Sequence, residues 1–245
     1  FFFGYYSINP ATLPASTRRS AYSSSPTTGF VCGGDNPSVI SSIQKFTFAS
    51  ETASNSPSNQ GRNAYRHCAV GSDVASYLNG GFGGWPNDFG TTVGKLTYAT
   101  ETMEQSIATI PAPSGYYDRC SISARDMGPS TQVAPTVTPT SSTSDVPAPT
   151  PNTGYYGGGT AYPAHPPTAR SLFDKIEYST NTTTALPSTT AFPGNTPTPL
   201  ACGTGLNAYF SNGALLYKMP YSTQVLGSIP NLARNHNGGG AFSNN

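Results

Sequence analysis

Charged residues are scarce in this chain of 245 residues. Asp, Glu, Lys and Arg make up 9% of it, against about 25% in an ordinary soluble domain. A mainly helical fold is disfavoured, because exposed helix faces are normally filled with Glu, Lys and Arg. The formal net charge of +1 gives no electrostatic footprint for DNA or RNA. No apolar run approaches the roughly 20 residues that a membrane-spanning helix needs.

Histidine and cysteine are also rare. The chain has three histidines and four cysteines: His67, His165, His236, Cys32, Cys68, Cys120 and Cys202. No Cys-x-x-Cys motif occurs, so a structural zinc site is unsupported. We predict that the cysteines are mostly small buried apolar residues, and a Cys32–Cys68 disulfide stays open as the alternative. The sequence therefore predicts no metal and no cofactor.

Glycine and proline, by contrast, are abundant, with 26 and 23 residues. Together with frequent Ser, Thr and Asn, they favour short strands joined by turns. We therefore predict an all-β fold. A chain of this length can bury a sizeable core, and we expect a single domain over residues 1–245.

A ten-residue unit occurs four times along the chain. Its copies are IQKFTFASET at 43–52, VGKLTYATET at 93–102, FDKIEYSTNT at 173–182 and, more weakly, LYKMPYSTQV at 216–225. Residues alternate as a strand requires, which predicts an apolar core face, with Leu96 and Tyr98 as examples. The opposite face, with Lys45 and Lys95, is predicted to be exposed. Self-similarity at this spacing indicates a repeat architecture.

The repeat extends beyond these ten residues. Glycine clusters at 33–34, 80–81 and 157–159 precede the three stronger copies, and arginines stand upstream at 18–19, 66 and 119. One repeat thus amounts to three or four short strands that must stack on their neighbours. Residues 1–10 align with the second half of a repeat, and glycines 238–240 begin another. We therefore predict a ring of about five blades, in which the N- and C-terminal strands pair in one blade.

A glycine pair after an apolar strand, followed by a strand with a fixed aromatic residue, resembles the kelch repeat of β-propellers. GYYGGG (154–159) with FDKIEYSTNT, and LNGGFGG (78–84) with VGKLTYATET, are similar to kelch-like repeats in tail-fibre and other virion proteins of marine tailed phages, cyanophages in particular. This resemblance implies a kelch-like β-propeller of about five blades, with six as the alternative. It covers most of the chain except about 124–153.

Three features depart from that pattern. The typical kelch tryptophan is missing, because the single Trp85 lies in a loop between strands. Pro220 stands inside the fourth strand copy, which favours an edge position or a bulge. Residues 127–154 are rich in Pro, Ser and Thr and are predicted to form a long insertion loop.

The candidate receptor-binding residues are Trp85, Asn87 and Asp88, in the loop GFGGWPNDFGTT (81–92). An exposed aromatic ring beside amide and carboxylate groups can stack on a sugar and hydrogen-bond its hydroxyls. The alternative is that Trp85 packs over a blade edge. The loops DNPSV (35–39) and AYPAHPPTAR (161–170) hold corresponding positions, and we expect all three to share one binding face. Asp35 is expected to cap an Asx turn, with calcium binding as the less favoured alternative.

These features predict a non-enzymatic structural or adhesion protein of a virus particle, of the phage tail-fibre or capsid-fibre type. Its partners would be other virion proteins and a host-surface glycan, with no nucleic acid and no membrane insertion, and a homo-oligomer is compatible with the pattern. Its location would be the virion, with secretion as the alternative. Two other functions stay open: a secreted kelch-type metal oxidase, which needs a His/Tyr cluster at a metal, and a purely structural assembly module, which needs large apolar loop faces.

Overall fold

The computed structural model describes residues 11–82, 90–111, 115–124, 152–162, 168–169, 171–193, 200–203, 206–212 and 215–230. Regular structure in these ranges consists of antiparallel strands, apart from one 3₁₀ turn at Ser188–Thr190. The predicted all-β fold is confirmed. The chain divides into two compact units, residues 1–118 and 119–245. The single domain over residues 1–245 stays a prediction. Within the described ranges, no helix is long and apolar enough to cross a membrane.

The first unit contains two four-stranded sheets. Sheet A consists of β1 (Ala21–Ser24), β2 (Thr28–Cys32), β3 (Ser42–Thr47) and β4 (Thr52–Asn59). Sheet B consists of β5 (Tyr65–Gly71), β6 (Ala75–Phe82), β7 (Thr92–Thr97) and β8 (Thr102–Thr109), and β9 (Gly115–Tyr117) follows it. In both sheets the strands pair in chain order. Each sheet therefore has a turn end, with the first-to-second and third-to-fourth connections, and a loop end, with the second-to-third connection.

The second unit repeats this arrangement. Sheet C consists of β10 (Cys120–Ala124), β11 (Thr153–Gly157), β14 (Phe173–Glu177) and β15 (Thr182–Ala185). Between β11 and β14 the chain forms β12 (Thr160–Tyr162) and β13 (Thr168–Ala169), which pair with each other. Sheet D consists of β16 (Leu200–Gly203), β17 (Asn207–Asn212), β18 (Leu215–Pro220) and β19 (Gly227–Ile229).

The four copies of the ten-residue unit adopt the same local structure. Each forms the third strand of a sheet and the turn that follows. One residue in each turn has a left-handed backbone: Glu51, Glu101, Asn181 and Gln224, with φ of 52°, 51°, 52° and 53°. In the first three turns, hydroxyl groups two residues apart lie 2.7 Å from each other. The fourth copy loses this contact, because Val225 replaces the threonine.

A backbone hydrogen bond joins the two connections at the turn end of every sheet. The aromatic residue after each third strand donates its N–H to the residue just before the second strand: Phe48 to Thr27, Tyr98 to Val74, Tyr178 to Asn152 and Tyr221 to Leu206. These four bonds measure between 2.8 and 3.0 Å. The sequence repeat is therefore a structural repeat, including its weak fourth copy.

The glycine pairs follow the second strands with positive φ: 57° and 107° at 33–34, 75° and 98° at 80–81, and 60° and 95° at 158–159. The third pair is thus Gly158-Gly159, since Gly157 belongs to β11. A Cβ at Gly34 would lie 2.3 Å from Ser20 Oγ, and one at Gly81 would lie 2.8 Å from His67 Cβ. Both the left-handed backbone and the close approach of the first strand require glycine here.

The two faces of the central strands are both packed, which corrects one prediction. The aromatic face is buried as predicted in the later copies, with Leu96, Ile176 and Met219 fully buried. The lysine face is not solvent-exposed: the side chain of Lys45 is 25% exposed and that of Lys175 23%. In each unit the lysine face of the first sheet packs against the aromatic face of the second.

The same ring contact marks this packing in both units. Phe30 of sheet A stacks on Tyr98 of sheet B with ring centroids 5.1 Å apart. Tyr155 of sheet C stacks on Tyr221 of sheet D at 5.5 Å. Burial of such rings contributes roughly 1.5–3 kcal/mol each, and the offset stacking adds about 0.5–1.5 kcal/mol.

Two further predictions are wrong in detail. Phe48, which aligns with Tyr98 and is therefore expected on the core face, is 45% exposed, because sheet B packs on the other face of sheet A. Pro220 does not mark an edge strand. Strand β18 lies between β17 and β19, and Pro220 is its last residue, opposite Asn207 and beyond the pairing with β19. A missing N–H costs little at that position.

Candidate functional site

The predicted receptor-binding residues Trp85, Asn87 and Asp88 lie outside the described residues, as does most of the loop 161–170. The third loop of the predicted binding face, DNPSV at 35–39, is described. It belongs to the β2–β3 connection, at the loop end of sheet A, where β1 also begins. The loop end of sheet A is therefore the described part of the predicted binding face.

Asp35 is the central residue of this loop and is 7% exposed. Its backbone forms a two-way bridge with Arg18, in which Arg18 N–H donates to Asp35 O at 3.2 Å and Asp35 N–H donates to Arg18 O at 3.0 Å. Its carboxylate Oδ2 accepts from Arg19 Nη1 at 3.2 Å and lies 3.4 Å from Arg18 Nε. The Asp35 carboxylate therefore forms an ion pair with two arginines instead of capping an Asx turn, and calcium binding at this residue stays an untested alternative.

A second ion pair lies at the loop end of sheet B. Arg66 Nη1 donates to Asp118 Oδ2 at 3.1 Å. Burial raises the pKa of Asp118, while the charges of Arg66 and Arg19 lower it, so Arg19 lies close enough to act on both aspartates. The Arg19 guanidinium also lies over the Tyr65 ring, 5.9 Å from its centroid. Arg18, Arg19, Asp35, Arg66 and Asp118 are named the arginine cluster from here on.

The backbone holds this cluster in place. Arg66 N–H donates to Arg19 O at 2.7 Å, and Asp118 N–H donates to Arg66 O at 2.9 Å. All three residues have left-handed backbones, with φ of 58°, 58° and 56° for Arg19, Arg66 and Asp118. Non-glycine residues adopt this conformation infrequently, and it persists where surrounding contacts over-determine it. The left-handed residue recurs at equivalent positions of successive repeats, which indicates that the backbone holds the charged side chains rigidly.

Arg119, in the second unit, plays a different role from the arginines of the first. Cys68 and Cys120 occupy the same register, each opposite the residue just before a glycine pair. Asp118 therefore corresponds to Arg66, and Arg119 corresponds to the buried His67. The Arg119 side chain is 1% exposed, donates to Asp174 Oδ2 at 2.8 Å and to Tyr156 O at 2.9 Å, and belongs to the core.

The described histidine offers no acid–base chemistry near neutral pH. His67 is buried, with 7% of its surface exposed, and burial together with the Arg62 charge lowers its pKa to about 3. His165 and His236 lie outside the described residues. In the part of the chain that the structure describes, no group of three His, Cys, Asp or Glu side chains is placed to hold a metal ion.

The described cysteines are reduced. Cys32, Cys68 and Cys202 are free thiols, so the alternative of a Cys32–Cys68 disulfide is not formed. Burial raises the pKa of Cys32 to about 12, which removes the thiolate that nucleophilic chemistry needs. The prediction of small buried residues is confirmed for Cys32 and Cys68, and Cys202 is half-buried.

A shallow depression in the first unit is a weaker candidate. It encloses about 310 Å³, space open to solvent included, and is lined by Gln60, Arg62, Leu78, Thr92, Gly94, Met103, Gln105 and Ser106. Two of its polar groups bind the backbone: Gln105 Nε2 donates to Gln60 O at 2.8 Å, and Arg62 Nη2 donates to Gly80 O at 3.0 Å. These groups stabilise the connection between sheets A and B, which leaves the arginine cluster as the better candidate for binding.

In the sequence alone, the arginines at 18–19, 66 and 119 are recognisable only as markers of the repeat. The pairing with Asp35 could have been suspected from two adjacent arginines and an aspartate directly after a glycine pair. Compared with known proteins, the chain matches no family model and shows no significant similarity to a curated protein.

Proposed function

We propose that this chain is a non-enzymatic binding module of a virus particle, of the phage tail-fibre or capsid-fibre type. Its loop ends would contact a host-surface glycan or a neighbouring virion protein. The observation that carries the proposal is the arginine cluster, in which exposed guanidinium groups are held on a strained but regular backbone frame. Such a frame suits repeated polar contacts with a partner surface, and loops on a rigid scaffold are where binding residues concentrate.

The architecture we propose is a kelch-like β-propeller of about five blades, closed by its terminal strands. Four sheets support it, each with a left-handed residue in the turn after its third strand, as does the ring stacking of Phe30 on Tyr98 and of Tyr155 on Tyr221. Within each unit the first strands of the two sheets pack together, β1 with β5 and β10 with β16. Blades of a propeller meet in this way along their inner strands.

Ring closure has a direct test. If the ring is closed as proposed, deletion of residues 1–10 removes part of the closing blade, so the midpoint of urea unfolding should fall clearly. As a control, the same number of residues can be removed from within 127–151, ahead of β11, which begins at Thr153. An unchanged midpoint after removal of residues 1–10 would contradict closure by the terminal strands.

Receptor binding is tested with a glycan array and metal analysis on the same purified sample. We expect saturable binding to one glycan class that is independent of calcium and copper and is lost in Trp85→Ala. Stoichiometric copper without glycan binding would instead favour the oxidase. Absence of both glycan binding and metal would favour the assembly module.

The assembly module is the second candidate, because apolar side chains are exposed at the turn ends. In the first unit these are Phe48 and Val74, and in the second Leu206 and Val225. A module that binds sister subunits would use such residues. Analytical ultracentrifugation of Val74→Lys decides this point, because an oligomer that this substitution dissociates would favour assembly through the turn end.

A further inference from the structure

We propose that Arg18 and Arg19 form a binding site for the acidic groups of a glycan, namely the carboxylate or sulfate groups of an anionic polysaccharide. This inference rests on the proposed function and gives it a chemical class. The two guanidinium groups converge on one atom, Asp35 Oδ2, at 3.4 and 3.2 Å. Together with Arg66 and Asp118, the arginine cluster holds three arginines and two aspartates, so one positive charge in it has no carboxylate partner.

The two arginines keep hydrogen-bonding capacity for a ligand. A guanidinium group carries five N–H donors. Arg19 Nη1 donates to Asp35 Oδ2, whereas Arg18 Nε forms an ion pair with the same oxygen without a hydrogen bond. The other N–H groups of the two arginines have no hydrogen-bond partner among the described residues. Their side chains are 64% and 42% exposed, so an incoming anion can reach them. Planar guanidinium groups match carboxylate and sulfate oxygens in a two-point geometry.

The position of the pair is fixed in advance of binding. The two-way backbone bridge to Asp35 anchors Arg18. Arg19 is held by the ion pair, by the Tyr65 ring and by the hydrogen bond that its carbonyl accepts from Arg66. Because the side chains are already held in position, less conformational entropy is lost when a ligand binds. Three of the 12 Lys and Arg residues of the chain lie at this end of the first unit, against two aspartates in the arginine cluster, so the net charge of the cluster is positive.

A polymer suits this site better than a small ion. Exposed ion pairs contribute only about 0–1 kcal/mol each, so one sulfate ion would bind weakly to so open a site. A polysaccharide with an acidic group on every sugar can bind at many places along its length. Several copies of the chain on one particle would bind it together and raise the apparent affinity. A net charge of +1 over the whole chain argues against DNA as the ligand.

The experiment measures binding of the purified chain to four probes by biolayer interferometry: polygalacturonate, dextran sulfate, neutral dextran and duplex DNA. We expect the two acidic polysaccharides to bind and the other two to bind at least tenfold more weakly. Arg18→Ala and Arg19→Ala should each weaken acidic binding about fivefold, and Arg18→Lys should restore only part of it, since lysine lacks the planar fork.

Lys95→Ala is the matched control, because it removes the same charge from β7 without touching the arginine cluster. Equal losses for Lys95→Ala and the arginine variants would overturn the site, as would DNA binding as strong as polysaccharide binding. Thermal melts identify any unfolded variant. Because Arg18 is the more exposed of the two, Arg18→Ala serves if Arg19→Ala does not fold.

The two proposals fail separately. If the array shows receptor binding to neutral glycans and the acidic polymers do not bind, the adhesion function stands and the anion site is wrong. If acidic polymers bind through the arginines but no array glycan binds, the anion site stands and the receptor function is wrong.

Discussion

The buried ion pair between Arg119 and Asp174 allows the sharpest test of the core of the second unit. The two side chains are 1% and 6% exposed, and Arg119 Nη2 lies 2.8 Å from Asp174 Oδ2. Asp174→Leu would leave a guanidinium group buried without its carboxylate. Removal of one partner from such a pair typically costs about 3–5 kcal/mol, because the remaining charge is desolvated and uncompensated.

The expected change in thermal stability follows from the size of the chain. A loss of 1 kcal/mol lowers the melting temperature by about 2–4 °C in proteins of 150–250 residues. Asp174→Leu should therefore lower it by about 6–20 °C. Circular dichroism during heating and urea unfolding measure the effect. Lys175→Met in the same strand is the control, because its pair with Glu177 is more exposed and should contribute no more than about 1 kcal/mol.

The double variant Arg119→Met with Asp174→Leu separates charge from packing. It removes both charges and leaves the carbonyl of Tyr156 without the Arg119 donor, at a cost of about 1–3 kcal/mol. The double variant should therefore be more stable than Asp174→Leu alone. Asp174→Leu alone costing less than about 1 kcal/mol would contradict this prediction. So would a double variant whose loss equals the sum of the losses measured for Asp174→Leu and for Arg119→Met, because the two side chains would then not be coupled in the core.

Three further predictions follow from other parts of the chain. Gly34→Ala should destabilise the fold far more than Gly29→Ala in urea unfolding, because only Gly34 has positive φ and a Cβ position 2.3 Å from a side-chain oxygen; equal effects would contradict this. The free energy of unfolding should fall as the pH is lowered from 6.5 towards 3, by up to about 1.4 kcal/mol per pH unit. The reason is that His67 in the folded chain, with its pKa lowered to about 3, stays neutral while the same residue in the unfolded chain binds a proton. His67→Gln should flatten this pH dependence, and an NMR titration of folded His67 with a midpoint near pH 6.5 would refute the prediction. Replacement of residues 126–151 by Asn-Gly should keep the fold and raise stability by about 1–2 kcal/mol, since Ala124 and Thr153 are cross-strand partners; loss of folding would show that the insertion is structural.

Much of the local structure could be predicted from the sequence because it depends on short-range rules. The alternation in VGKLTYATET determines a strand, and its polar end determines the turn. The glycine pairs were found because a left-handed backbone beside a close strand tolerates little else. Each of these constraints acts within a few residues of the chain, so each leaves a mark in the sequence itself.

Tertiary contacts decided the rest. Lys45 is half-buried because a second sheet packs on its face, and a single strand carries no sign of what covers it. Arg119 is buried because it is equivalent to His67 and not to Arg66 in the strand register. The position of an arginine upstream of a glycine pair does not reveal this difference. Asp35 binds Arg18 and Arg19 because the β2–β3 connection returns to the start of β1. The sequence by itself therefore determined the strands, turns and repeat, whereas burial and charge pairing depend on groups far apart in the chain, and only the packed sheets bring those together.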